Sequence, residues 1–139
     1  MDKEKLTFNE KIIEEFRENE GKVAMFSGLP MIVLHTIGRK SGNIFLVPLV
    51  LTIKKDGEMV LFGSFAGAKD DPAWAHNLRE NPEIDVEVGT EKFATRIEEL
   101  PPEEAKKACK ITASNNRTFA GYMESAAPRD IPVFRIHRL

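Results

Sequence analysis

The 139-residue sequence predicts an α+β fold in which an antiparallel β-barrel carries helices on its outside. Three observations lead there. Segments of helix and strand character follow one another as α-β-β-β-α-β-β-α-β, and Asp56-Gly57 and Gly89-Thr90-Glu91 are tight-turn sequences between apolar runs. Too few helices separate the strands for a doubly wound parallel sheet, so strands adjacent in sequence are expected to pair antiparallel.

The first element is a helix. Thr7 followed by Glu10 has the form of a capping box, Phe8, Ile12, Ile13 and Phe16 share one face, and Gly21 stands where the helix should stop. Residues 31–37 (MIVLHTI) read as a buried, β-branched strand ending in the loop Gly38-Arg39-Lys40-Ser41-Gly42-Asn43. Residues 44–53 form a long second strand, in which Pro48 requires a bulge or an unpaired edge, and Asp56-Gly57 turns the chain into a third strand over 59–64. Asp71 is expected to cap, and Pro72 to begin, a helix over 73–80 whose Trp74 and Leu78 face the core. Asn81-Pro82 breaks that helix, and residues 84–88 and 93–97 alternate as a second hairpin. Pro101-Pro102-Glu103-Glu104 opens a helix to about Asn115, residues 118–125 read as helical or irregular, and residues 131–136 form the last strand after Pro128. No repeat or linker interrupts the chain, so residues 1–139 are expected to form one domain.

Composition narrows the function. A net charge of −2 argues against a protein whose main affinity is for nucleic acid, which needs a basic field. Residues 2–22 carry five basic and seven acidic side chains, so the first helix is not built for anionic lipid either. The longest apolar run, 44–53, is about half a membrane-spanning helix. One cysteine, Cys109, cannot form an internal disulfide, and with a charged N-terminus this leads to the expectation of a reducing, cytoplasmic setting. His35, His76, His137 and Cys109 show no metal-ligand spacing, so no metal site is expected.

Two loops can carry chemistry. In Gly38-Arg39-Lys40-Ser41-Gly42, glycines allow close backbone approach, successive N–H groups can form an anion nest, and two cations supply charge-assisted hydrogen bonds; a solvated hairpin turn has the same composition. The stretch from Gly63 to Trp74 joins a strand end to a small-residue loop and a helix N-terminus, where free N–H groups attract anions unless Asp70 and Asp71 occupy them. Elsewhere the residues suggest packing: Cys109 lies mid-helix with no nearby His, His76 sits on a polar helix face, and Tyr122 is expected to pack with its hydroxyl at the surface. The residues by themselves point to no catalytic group.

The order of these motifs resembles that of the deazaflavin-dependent nitroreductases and quinone reductases. The likeness runs from the opening helix through Thr36-Ile37-Gly38-Arg39-Lys40-Ser41-Gly42, Pro48-Leu49, Gly67-Ala68, Pro72-Ala73-Trp74 with His76-Asn77-Leu78, Asn81-Pro82-Glu83, Val86-Glu87-Val88 and Arg129-Asp130-Ile131-Pro132-Val133. It implies a split β-barrel of the FMN-binding-protein kind and hydride transfer from reduced coenzyme F-420 to a small-molecule acceptor, a quinone or nitroaromatic. It further implies a cofactor site made by Arg39, Lys40, Ser41, Gly42, Pro48, Ser64, Gly67, Ala68, Lys69 and Trp74, with substrate against Phe65, Tyr122 and Met123. The relationship also implies that two copies can pair as a homodimer. Three positions depart from the family's pattern: Phe45 stands where an Arg is common, Asp70 where a Lys is common, and Met123 at a usual Tyr position. An FMN-binding reductase of the same fold and a non-enzymatic carrier of an apolar ligand are therefore the alternatives.

Overall fold

Two strands only one residue apart in sequence lie at opposite ends of the same sheet, and this determines the architecture. The computed structural model describes residues 6–139. Among them are β1 (Met31–Ile37), β2 (Ile44–Val50), β3 (Thr52–Ile53), β4 (Met59–Phe62), β5 (Glu83–Val88), β6 (Glu91–Glu99) and β7 (Val133–Arg138), every pair antiparallel, in the order β2-β1-β5-β6-β7-β4-β3. Laid flat, the strand spacings would put β3 about 29 Å from β2. Val50 and Thr52, two residues apart, can be separated by no more than about 7 Å. The sheet therefore curls until its edges meet at Leu51, which is 1% exposed and donates its N–H to Pro30 O at 2.8 Å. This is the expected split antiparallel barrel, with one correction: the long second strand breaks at Leu51 into β2 and β3.

Pro48 takes the unpaired-edge option. Gly38 N–H bonds Asn43 O and Leu51 N–H bonds Pro30 O, and alternation between them places Pro48, opposite Val33, in a non-hydrogen-bonded pair. Its missing N–H thus faces the open side of β2, where no ladder bond is lost, and no bulge interrupts the register from Met31↔Val50 to Ile37↔Ile44.

Four α-helices, α1 (Phe8–Glu18), α2 (Ala73–Glu80), α3 (Pro102–Asn115) and α4 (Arg117–Ala126), and two short 3-10 turns, Ala24–Phe26 and Phe65–Gly67, complete the described chain. Trp74, Ala75 and Leu78 of α2 share one buried cluster with Ile32, Leu34, Leu61, Ile84, Val86 and Phe134, so α2 packs its apolar face against the inward-facing side chains of the sheet. The alternate face of β1, Met31 and Val33, packs on Ile12, Ile13 and Phe16 of α1. On the other side α3 and α4 cover β4 and β7, with Cys109 and Phe119 against Val60 and Val133, and the Phe62 and Phe119 rings meet edge-on at 5.2 Å.

The capping box of α1 forms: Thr7 Oγ1 accepts from Glu10 N–H at 3.2 Å and the Glu10 carboxylate accepts from Thr7 N–H at 3.4 Å. Other local expectations need correction. Phe8 is 61% exposed, and the buried face of α1 is made by Ile12, Ile13 and Phe16 alone. At the far end Glu20 (φ 56) already turns left-handed before Gly21, whose N–H closes onto Phe16 O. Pro72, not Asp71, holds the N-cap position of α2, without a side-chain cap, because the Asp71 carboxylate is engaged by two arginines. Residues 117–126 are helical, capped by Asn116 Oδ1 accepting from Phe119 N–H at 3.0 Å. The third strand ends at Phe62 and the last begins at Val133, because Gly63 and Pro132 leave the ladder with a single bond, Gly63 N–H to Pro132 O at 2.8 Å.

One polar cluster fastens α1 to the sheet. Arg17 of α1 forks onto Glu87 of β5 at 2.9 and 2.8 Å, and His35 of β1 reaches the same carboxylate at 2.7 Å. The hydrogen bond from Arg17, and after it that from His35, holds the Glu87 carboxyl below its ordinary value. A depressed folded-state value contributes stability above the unfolded carboxylate range, and that contribution disappears as pH falls through the folded value. Glu87→Gln is therefore expected to lower unfolding free energy by about 2 kcal/mol at neutral pH. Urea titrations of variant and wild type should converge as pH falls below the folded-state value of Glu87; a gap that persists unchanged at acid pH would refute this account.

Candidate functional site

The turn between β1 and β2 is closed by its own hydrogen bonds. Gly38 N–H donates to Asn43 O and Gly42 N–H to Gly38 O, both at 2.8 Å, with Gly42 in the left-handed conformation (φ 75) such a turn requires. The Ser41 hydroxyl accepts from Asn43 N–H at 3.1 Å, so it shapes the turn. Helix α2 anchors the assembly: Asn77 Oδ1 accepts from Arg39 N–H at 3.0 Å and Asn81 Nδ2 donates to Ile37 O at 3.3 Å. With the backbone tied down, the Arg39 and Lys40 side chains remain exposed, and neither makes an ion pair or side-chain hydrogen bond among the described residues. Beside them the Phe45 ring is 49% exposed and lies over Gly38, where a Cβ would come within 2.8 Å of Phe45 Cε2. Two uncommitted cations thus border an apolar surface, an arrangement suited to an anion with a flat apolar part.

The second loop carries backbone strain. Phe65 (φ 47), Ala66 (φ 51) and Gly67 (φ 79) are left-handed in succession, which costs of order 1–3 kcal/mol at each non-glycine residue. Gly67 is required by proximity as well, since a Cβ there would stand 2.8 Å from Ser125 Cβ and 3.1 Å from Tyr122 Cα of α4. Arg129, its side chain only 10% exposed, grips both sides of the strained residues. Its Nη1 donates to Gly63 O (3.0 Å) and Asp71 Oδ1 (2.8 Å), Nη2 to Ser64 O (2.9 Å), and Nε to Ala68 O (2.9 Å). Lys69 Nζ donates to Ala127 O at 2.6 Å, pinning the loop to the end of α4. The ladder continues through Asp71 to Arg79 (2.9 Å) and on to Glu99 (2.8 Å), whose hydrogen bond is the main reason the Arg79 guanidinium is held more firmly protonated than usual. What this clamp leaves at the surface is the Phe65 ring, 56% exposed, and the Ser64 hydroxyl, which has no partner among the described residues.

The structure gathers the sequence-derived residues in two groups, one bonded to α2 and the other leading into it. Arg39, Lys40, Ser41 and Gly42 stand on the anchored turn, and Ser64, Phe65, Gly67, Ala68 and Lys69 on the loop leading into the helix. Tyr122 joins the second group, half-buried beside Gly67. Three others stand apart. Pro48 shares the outer face of β2 with Leu46, which packs toward α1; Trp74 is 8% exposed with its ring 5.5 Å from that of Phe134; and Met123 packs among the residues between α3, α4 and β7. Arg129, Asp71 and Asn77 carry no local mark of a role at the site in the sequence, apart from the place of Arg129 in the Arg-Asp-Ile-Pro motif.

The remaining reactive groups are committed to structure. Burial pushes the Cys109 thiol up to about 11, and its Sγ donates to Ile131 O at 3.7 Å, so it is no nucleophile at neutral pH. His76 Nδ1 stands 3.4 Å from Arg79 Nη1. Among the described residues no three His, Cys, Asp or Glu side chains are grouped to hold a metal. A cleft of 970 Å³, with Leu100, Cys109, Met123 and Ile131 in its wall, lies between α3 and residues 127–132; Arg79 and Arg129 of the clamp also line it, and it is away from the turn at 38–43.

Comparison with known proteins places this geometry. The family model described as F420H(2)-dependent quinone reductase matches residues 9–137. An F420H(2)-dependent quinone reductase of Mycobacterium tuberculosis is 30% identical over 112 residues, 78% of this chain and 74% of that protein. Among solved structures, an F420-H2 dependent reductase (FDR-A) aligns with a TM-score of 0.64 at 28% identity, covering 78% of this chain and 94% of that one. A protein described as a domain-swapped dimer aligns at 0.65 and 26% identity, covering 90% and 94%.

Proposed function

Because the chain belongs to the F420H(2)-dependent quinone reductase family, we propose that it is an oxidoreductase that binds reduced coenzyme F420 and delivers its hydride to a quinone or nitroaromatic acceptor. The observation that carries this reading is the Arg39-Lys40 turn, two exposed cations without partners among the described residues on a backbone fastened to α2. This donor set fits a cofactor with an anionic tail and a planar ring: cations for the tail, the exposed Phe45 and Phe65 for apolar contact, and the Ser64 hydroxyl for a hydrogen bond. Arg39 and Lys40 would hold the tail, Ser64 and Gly67 would border the ring, and Phe65 and Tyr122 would flank the acceptor. When bound, the coenzyme supplies the hydride; the protein contributes orientation and exclusion of water. No side chain on the described surface is needed as a covalent nucleophile, in keeping with the buried, protonated Cys109.

The family and the mycobacterial relatives name F420 rather than FMN, and an apolar carrier would have no use for the two cations. Pairing of two copies belongs to this reading, supported by the domain-swapped dimer of one structural neighbour. No described helix is long and apolar enough to cross a membrane. A cytoplasmic setting, which a lone thiol suits, is likewise part of the proposal. The test is to mix the purified protein with reduced F420 and a water-soluble quinone, following the return of the oxidised coenzyme's visible absorbance, with reduced FMN as the parallel arm. Turnover with F420 alone is expected; micromolar FMN binding with no F420 binding would overturn the assignment.

A further inference from the structure

We propose that Arg129 is a positioning residue for hydride transfer, locking residues 63–68 in the shape that presents Ser64 and Phe65 to bound ligand. The inference rests on the reductase reading for its ligand and on geometry for its mechanism. The guanidinium fans its donors over a segment rather than a point: Gly63 O and Ser64 O before the left-handed residues, Ala68 O after them, and the Asp71 carboxylate that balances its charge. Phe65 and Ala66 are held in a conformation that exposed non-glycine residues abandon unless their surroundings over-determine it. Their carbonyl neighbours are fixed by a single planar group, and that group is nearly buried. A lysine, with one compact ammonium, cannot reproduce this span.

A purely architectural role explains the clamp poorly. The strained residues contribute little to the core, since Phe65 is 56% exposed and Ala66 is exposed, while Ser64 keeps a hydroxyl with no partner among the described residues. Strain maintained at an exposed aromatic beside an unused hydroxyl is the signature of preorganisation for a ligand. Arg79 supports the arrangement from behind by holding Asp71 at 2.9 Å, so Arg129 meets a carboxylate that is itself fixed.

Arg129→Lys, Phe65→Gly and the double variant form the test, with Arg129→Gln as a second probe of the clamp should the lysine form fold poorly. Steady-state kinetics with reduced F420 and a quinone are read beside amide hydrogen exchange of residues 64–68. Arg129→Lys is expected to accelerate exchange in that segment and to lower kcat/KM by about 10- to 100-fold, the scale of a misplaced contact. In the Phe65→Gly background the same change should cost clearly less than in wild type, under about 3-fold, because the ring that makes up most of the positioned surface is gone and the strain at residue 65 is relieved. Additive losses, or a lowered melting temperature with unchanged kcat and KM, would overturn the positioning role. A wild-type protein that neither binds nor oxidises reduced F420 would instead refute the reductase reading, and unaltered exchange in Arg129→Lys would refute the clamp whatever the ligand.

Discussion

Replacing Arg39 and Lys40 together by alanine is expected to weaken coenzyme F420 binding by about 100-fold or more, with a melting temperature within about 2 °C of wild type. Each charged hydrogen bond is worth about 1.5–3 kcal/mol, and about 1.4 kcal/mol is tenfold in affinity. The fold does not depend on these side chains, because the turn is built from Gly38, Gly42, Ser41 and Asn43 and is fastened through the backbone N–H of Arg39. Only the charge of the site changes. Affinity of the wild type should also fall with added salt, as screening of exposed cations requires, and the double variant should lose most of that dependence. A fluorescence titration across salt concentrations, with calorimetry for stability, measures both; unchanged affinity would make the turn a solvated connection and no more.

Trp74→Ala should act in the opposite way, lowering stability by about 3–5 kcal/mol and the melting temperature by about 10–20 °C. The indole is 8% exposed, packs against Phe134, and belongs to the buried cluster that α2 shares with the sheet. Removing it leaves a cavity in that cluster, a loss that takes a large part of a small domain's margin of stability. Trp74→Phe, which refills part of the volume, should recover more than half of the loss. Thermal unfolding decides the matter. If Trp74→Ala melts like wild type and loses only coenzyme affinity, the side chain serves the ligand directly and its place in the core is incidental.

Elements with a local signal were legible in the sequence, and contacts between distant residues were not. The capping box of Thr7 and Glu10, the Asp56-Gly57 hairpin and the Pro-led start of α3 all rest on chemistry within a few residues. Asp71 shows where this fails. Beside Pro72 it has the form of a helix cap, yet Arg129 lies 58 residues away along the chain and Arg79 two turns along α2, and two guanidinium groups outcompete backbone N–H donors for one carboxylate. The cationic turn could be read as a candidate site because its glycines and charges are contiguous. Its anchor, Asn77, has no such mark; only the folded chain brings that side chain to Arg39 N–H. The strain at Phe65 and Ala66 was equally hidden, since neither residue type favours a positive φ.

The single residue that joins β2 to β3 has a kinetic meaning as well as an architectural one. The cationic turn belongs to one edge of the sheet and the strained loop follows β4, next to the other edge. They flank the same helix only once Leu51 has brought the two edges together. That seam depends on pairings far apart along the chain, above all β4 with β7, which carry the heaviest loop-closure entropy and form late in folding. A partly folded chain can therefore own every ligand-contacting residue and still have no place to bind, so binding competence arrives with the last step of closure rather than with the elements that carry it. Ligand present during refolding would accordingly leave the folding rate unchanged and slow unfolding, because it recognises only the closed seam.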